Sequence, residues 1–423
     1  MAENRLEDVN HQQTEQVEVV DVPYGLPREV KYCTKCIISN QRPLAKKSEF
    51  KHNSNSATET IDFDETGVCA ACRYHEKKTN QIDWQEREKL LWDLCDKYRK
   101  SDGSHDCIVS GSGGKDSVMV AHLLKYKYKM NPLTVTWAPH MYTEVGWRNM
   151  QHWIGAGFDN ILFHPNGKVH KLLTKLAFEN LLHPFQPFIL GQKNLAPKIA
   201  AKFDIPLVFY GEPGVDYGDP GNDGAQRKKH YHTGADYDKM CLGGVPIKEL
   251  IEKHGASMTD LKAYLPIDPE EYDQKGIQVH YLGWYVKWDP QEAYYYAVEH
   301  IGFEANTERT EGSYSKYSSI DDKSDPFHYY TQLVKFGIGR ATYDAAQECR
   351  NNKITREEAV ALVKKFDQEF PKKYFQDFLD YLGITEGRFL ECIEKFRNKN
   401  LWEFADGTWK LKKPVWVEKR NDE

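Results

Sequence analysis

The chain lacks any run of about 18 apolar residues, the length that a membrane-crossing helix needs. Its opening stretch, MAENRLEDVNHQQTEQVEVV, lacks the basic-then-apolar layout of a secretory leader, so a cytoplasmic location is expected. A positive excess is also missing. The 57 Lys and Arg stand against 63 Asp and Glu, a net charge of −6, which gives no overall electrostatic reason to hold nucleic acid. No internal repeat is visible. What is present is ordinary for a folded protein: 40% hydrophobic and 28% charged residues in 423, enough for two domains and a small appendage.

Nine cysteines, an odd number in a chain without an export signal, make a disulfide framework a poor reading. Cys95, Cys107, Cys241, Cys349 and Cys392 stand alone. The other four form two CxxC pairs, Cys33 with Cys36 and Cys69 with Cys72, and match the four thiolates of a tetrahedral zinc site. The 32 residues between the pairs exceed the common spacing, but 41–67 is polar and loop-like enough to span it. Four sulfur ligands leave zinc no open position, so such a site folds a module and does no chemistry. An iron–sulfur cluster or a redox dithiol are the other readings.

The chain divides into a mobile acidic arm over 1–31, the four-cysteine module over 32–76, an α/β domain over 77–245 and a mainly helical, aromatic-rich region over 246–423. Helical spacing runs from Trp84 to Tyr98. Beyond it, strands expected at 107–110, 133–137, 161–164 and 207–210 alternate with helices near 117–129, 145–156, 168–182 and 194–203. That alternation predicts a parallel sheet with helices on both faces. Thr355 and Glu358 form a capping box.

The most informative stretch is DCIVSGSGGKDS, residues 106–117, where a strand meets a glycine-rich turn and then a helix. Gly111, Gly113 and Gly114 allow a tight turn and close approach of a ligand. The unpaired N–H groups of the following helix suit an anion, and Ser112 and Ser117 add hydroxyl donors. The loop is not a Walker A motif, because Lys115 precedes Asp116, and it fails the GxGxxG spacing.

Ser112-Gly-Gly-Lys-Asp-Ser117 resembles the SGGxDS signature of the PP-loop ATP pyrophosphatases, the adenine nucleotide alpha hydrolase-like fold. Those enzymes split ATP between the α and β phosphates and transfer AMP to a carbonyl oxygen. The order of paired CxxC, ATP loop, a long block from LTVTWAPHMYTEVGW to FILGQKN, then PLVFYGE and KFGIGRATYDAAQECRNNKITREEA is similar to the N-acetyl sugar amidotransferases of bacterial surface-polysaccharide and flagellin-sugar biosynthesis. The resemblance covers about 30–400. It implies that ATP, with magnesium, activates an acetamido carbonyl on a nucleotide-activated N-acetyl sugar. Ammonia then replaces the oxygen, giving an acetamidino group. A glutaminase domain of the N-terminal nucleophile type would need Cys at position 2, where this chain has Ala2. The resemblance implies a separate HisH-like glutaminase and a HisF-like conduit protein.

In this reading Ser112, Gly113, Gly114, Asp116 and Ser117 cradle the ATP phosphates, with Ser110 and Lys115 as further contacts. Thr136 and Trp137 end the second strand and are candidates for the adenine side, or strand-end core residues. Gly211 and Glu212 end the fourth strand; the carboxylate could bind magnesium or take a proton from ammonia. Gln192, Lys193 and Asn194 are read as a βα-like edge contacting ATP or sugar, and Arg340 as a partner for phosphate or carboxylate. His230, Tyr231 and His232 are lid contacts or solvated loop residues. The aromatic cluster Tyr281, Trp284, Tyr285, Trp288 and Tyr294 to Tyr296 reads better as core or interface than as a stacking platform. The competing enzyme reading is a PP-loop tRNA-modifying enzyme. The competing non-enzyme reading is a zinc scaffold with a relic loop.

Overall fold

Cys107, Ile108 and Val109 are all fully buried. Successive strand side chains point to opposite faces, so a strand apolar at every position has to be covered on both. The computed structural model describes residues 22–44, 49–219 and 224–417, and shows how this is done. The acidic arm expected over 1–31 lies outside the described residues as far as residue 21.

Strands β1 (Cys107–Ser110), β2 (Pro132–Trp137), β3 (Asn160–Phe163) and β4 (Leu207–Tyr210) are followed by a short antiparallel pair, β5 (Cys241–Leu242) and β6 (Val245–Pro246), and then by β7 (Gln278–Tyr281). Five of these form one sheet in the order β3-β2-β1-β4-β7, and every pairing in it is parallel. Helices α1 (Ala70–Asn80) and α2 (Trp84–Tyr98) precede β1, and α3 (Lys115–His122), α4 (Glu144–Gly155), α5 (Gly167–Leu181) and α6 (Gln186–Phe203) lie between β1 and β4. Ile108, Val135 and Val208 point to the face covered by α5 and α6. Val109 and Phe209 point to the face covered by α2, α3 and α4. Side-chain oxygens start several of these helices: Asp83 accepts from the Gln85 and Glu86 N–H groups, Thr143 from Gly146 and Asn166 from Lys168.

The four strands expected from sequence are present within a residue at each end. β7 falls in the stretch expected to be mainly helical. It is only four residues long, and its pairing of Leu207 with Gln278 through Tyr210 with Tyr281 comes from a partner some 70 residues away. Local pattern carries little of that information.

The strand order positions the site. The chain steps outward from β1 to β2 to β3, then returns to lay β4 on the other side of β1. Ligands collect at the carboxyl ends of strands where the order reverses. Here those ends carry Gly111 to Ser117 after β1 and Gly211 with Glu212 after β4.

The C-terminal part contributes helices Asp325–Phe336, Arg340–Arg350, Arg356–Phe366, Phe375–Leu382 and Glu386–Phe396, then the hairpin β8 (Trp402–Ala405) with β9 (Thr408–Leu411). The Thr355 capping box is formed in full: its side chain accepts from the Glu358 N–H and Glu358 accepts from the Thr355 N–H. The cysteine module shares one apolar core with these helices, through Ile37, Ile61 and Ala71 on one side and Ala341, Ala345, Ala359 and Val363 on the other. Among the described residues no helix is long and apolar enough to cross a membrane.

A buried ion pair ties the module to the sheet. Lys78 Nζ on α1 lies 2.7 Å from Asp216 Oδ1 in the loop after β4, with the two side chains 6% and 9% exposed, and also donates to the Trp288 carbonyl at 2.9 Å. Lys78→Met strands a buried carboxylate and is expected to cost about 3–5 kcal/mol. Lys78→Met combined with Asp216→Leu is expected to recover most of that loss. Urea unfolding of the two variants beside the parent measures both.

Candidate functional site

The loop after β1 is shaped by glycines that cannot be replaced. A Cβ at Gly111 would lie 2.1 Å from the Ser117 Cβ. Gly113 has φ of +81° and sits on α4, where a Cβ would come within 2.9 Å of the Met150 Cα. Gly114 differs: a Cβ there would meet only Ser112 Oγ, at 3.6 Å, because its outer side opens into a cavity. Gly114 is the N-cap of α3 and supplies no side-chain cap, so the first-turn N–H groups are left to an anion. The Ser117 hydroxyl turns back to the Gly114 carbonyl at 2.9 Å. Lys115 Nζ reaches Asp116 Oδ2 at 2.5 Å, while Asp116 Oδ1 is buried with no hydrogen-bond partner among the described residues.

Beside this loop, at the end of the neighbouring strand β4, Glu212 lines the same cavity. Burial pushes its carboxyl up, the neighbouring Asp116 adds to the rise, and the Tyr217 hydroxyl, donating to Glu212 Oε1 at 2.7 Å, opposes it. The third wall comes from far along the chain. Asp321 accepts a hydrogen bond from Ser112, and burial pushes its carboxyl up as well. Asp325, Tyr329, Arg340 and Asp344 complete that wall. Arg340 holds Asp344 at 3.1 Å through Nε and donates from Nη1 to the Tyr329 hydroxyl. The cavity has a volume of about 440 Å³, large enough for a nucleotide.

The expected site residues divide. Ser112, Gly113, Gly114, Lys115, Asp116, Glu212, Gln192 and Arg340 all line this cavity. Ser110 instead bonds to Tyr210 on β4, and Ser117 and Gly211 stand behind the lining. Thr136 is fully buried and accepts from Asn160 Nδ2 at 3.0 Å. Trp137 is packed on Gly191, Phe163 and Tyr264. Both are strand-end core residues, the second of the two readings.

Gln192, Lys193 and Asn194 do not form a strand edge; they sit mid-way along α6, which begins eight residues before the expected start. Consecutive helical residues point about 100° apart, so three neighbours face three environments. Gln192 faces the phosphate-loop cavity and Lys193 a second cavity. Asn194 is buried in the core, donating to the Leu190 and Tyr264 carbonyls. Pro197 lies inside this helix and cannot donate to the Lys193 carbonyl. The Tyr210 hydroxyl takes its place, 3.3 Å from that oxygen. His232 is fully buried against Tyr272, and the aromatic cluster is largely core, with Tyr281, Tyr285 and Trp288 all under 10% exposed.

The four cysteines converge. All four are buried, and their sulfur atoms lie within 4.8 Å of one another. Cys33 to Cys72 and Cys36 to Cys69 are each 3.8 Å, the edge of a tetrahedron whose metal–sulfur bonds are about 2.3 Å. Burial pushes the Cys36 thiol up, so four thiolates this close need a cation between them. The donor set fits one zinc ion. Backbone N–H groups of Cys36, Ile38 and Cys69 approach the sulfurs at 3.3–3.5 Å, and Arg350 Nη1 stands 4.0 Å from Cys36 Sγ.

Residues 311–415 match a family model described as LPS biosynthesis protein WbpG-like, C-terminal domain. That segment carries Asp321, Asp325, Tyr329, Arg340 and Asp344, one whole wall of the cavity. An uncharacterized protein of Methanocaldococcus jannaschii is 32% identical over 85 residues, which are 20% of this chain and 29% of that protein. The chain therefore spans less than a third of that relative's length.

The acids of the WbpG-like segment were not among the expected site residues. Their signal in the sequence is the run Asp321-Asp-Lys-Ser-Asp325 ahead of Pro326, acidic residues crowded before a proline-started helix.

Two outcomes follow from this geometry. Purified protein is expected to carry one zinc per chain. Cys36→Ser is expected to lose it and to lower the thermal midpoint by several degrees or more, since the module's core continues into the C-terminal helices; metal analysis and calorimetry read the two effects. The second concerns Asp325, whose carboxyl burial pushes up to about 7 against the pull of Arg340. An unfolded Asp titrates near about 3.9, so between about pH 4 and pH 7 the folded chain keeps a proton that the unfolded chain has lost. Its contribution to stability therefore falls as pH rises through that window and is level above it. Asp325→Asn is expected to flatten the fall, measured by urea unfolding at about pH 5 and about pH 8.

Proposed function

We propose that the protein is a cytoplasmic, ATP-dependent amidotransferase of the PP-loop kind. It acts on a nucleotide-activated N-acetyl sugar in lipopolysaccharide biosynthesis. The acetamido oxygen attacks the α-phosphorus of ATP and pyrophosphate leaves. Ammonia then adds to the activated carbon, and AMP departs with the oxygen, leaving an acetamidino group and a proton for a nearby base. Ammonia comes from a separate HisH-like glutaminase through a HisF-like conduit protein.

The observation that carries the reading is the loop from Ser112 to Ser117, opening α3 onto a cavity that Glu212 also lines. Glycine backbone and first-turn N–H groups suit the phosphates of ATP. Asp116 would hold magnesium, which supplies charge neutralisation to those phosphates; its partnerless Oδ1 suits that role. Glu212, held up in pKa by burial, is a suitable base for the incoming ammonia. The WbpG-like match over 311–415 supports the sugar as acceptor.

The test mixes protein, ATP, magnesium and ammonium at alkaline pH with a panel of nucleotide-activated N-acetyl sugars, followed by mass spectrometry. Formation of AMP and pyrophosphate, with one sugar losing oxygen and gaining NH, is expected. AMP formed only with tRNA and a sulfur donor would replace this reading with a tRNA-modifying one. Asp116→Asn is expected to lower the rate by about 10²-fold or more with little change in folding.

A further inference from the structure

A second cavity, of about 470 Å³, adjoins the first. It lies between the cysteine module, α6 and helices Asp325–Phe336 and Arg340–Arg350. The two cavities share Tyr217, His328, Tyr329, Arg340, Asp344 and Gln347, so a ligand can extend from one into the other.

Its charge is one-sided. Among the described residues the lining holds five cationic side chains, Arg42, Lys193, Lys335, Arg340 and Arg350, and one carboxylate, Asp344, which Arg340 already holds. Arg350 leans on the Cys36 sulfur and Lys335 donates to the Leu181 carbonyl at 2.7 Å. Arg42, on the loop between the CxxC pairs, has its Nη1 buried with no hydrogen-bond partner among the described residues. A buried guanidinium nitrogen without an acceptor is costly unless a ligand supplies one. This one-sided field suits an anion.

Resting on the amidotransferase reading, we propose that this second cavity binds the phosphate-bearing end of the acceptor, a nucleoside-diphosphate-linked sugar. Arg42 and Lys193 are its phosphate ligands, and the sugar reaches past Arg340 toward Ser112. Guanidinium and phosphate match in geometry as well as charge. The four-cysteine module is then a wall of the acceptor site, and Arg42 is the residue it contributes.

The test uses the full-length protein and isothermal titration with UDP, dTDP and GDP as probes, without ATP or magnesium. One of them is expected to bind, and Arg42→Gln and Lys193→Gln each to weaken it by about 10–100-fold. ATP affinity, measured separately with magnesium, is expected to stay within about twofold, because neither residue lines the phosphate-loop cavity. Unchanged probe affinity in both variants, or no binding of any probe to the parent, overturns the proposal. So does an equal loss of ATP affinity. Melting curves identify a variant that fails to fold, and the other variant then decides. The amidotransferase reading stands or falls separately, on whether AMP and an amidinated sugar form with the parent protein.

Discussion

The close approach of Gly146 to Asp321 is the contact on which the site depends. A Cβ at Gly146 would lie 2.4 Å from the Asp321 Cα, so only glycine lets the two backbones meet. Around it, the Thr143 N–H donates to the Asp321 carbonyl and the Thr143 hydroxyl to the Ile320 carbonyl. This seats the 320–325 segment against the N-terminus of α4. One turn further along the same face, Asn149 and Met150 support Gly113. One helix therefore sets both the phosphate loop and the remote acidic wall, and the gap left between them is the cavity. A larger residue at either glycine would separate the walls before it touched any catalytic group.

The cysteine module acts as a brace behind this arrangement. Its sulfur cluster fixes the start of α1, since Cys69 is the N-cap and Cys72 lies in the first turn. Arg356 then donates to the Cys36 and Cys33 carbonyls, which ties the cluster to the C-terminal helices. At the other end of α1, Lys78 holds Asp216 and so the loop that carries Glu212 and Tyr217. Gly218 closes the contact, because a Cβ there would run into Ile61 and the Ala71 backbone. The four-sulfur cluster can in this way govern where Glu212 stands, although none of its cysteines lines the cavity that Glu212 lines.

Legibility from sequence varied with how local the cause was. β1 to β4 were readable because each is a short apolar run between turn signals. α2 was readable from spacing, and Thr355 from its partner three residues on. β7 was not, because its register comes from β4. Trp137 sits at a strand end, where ligands and core compete for the same position, and only the Gly191 approach settles it as core. Gln192 to Asn194 lie inside a helix whose expected start is 194 but which begins at Gln186, and Tyr210 meets the carbonyl that Pro197 leaves without a donor. The Asp321 to Asp325 cluster carries no local mark of a site, because what it faces is set by the remote contact with Gly146.

By itself the sequence determined the parallel sheet, the phosphate-suited loop and the four-sulfur site. Each of these follows from side chains close together along the chain: short apolar runs between turn signals, glycines beside a helix start, thiols with two residues between them. Tertiary structure alone decided which remote groups face that loop. Backbone contacts at Gly146 and Gly113, the Lys78 ion pair and the seating of helix Arg340–Arg350 bring together residues up to about 300 positions apart, as where Arg350 meets Cys36. No local pattern encodes such distances; packing of whole faces against one another does.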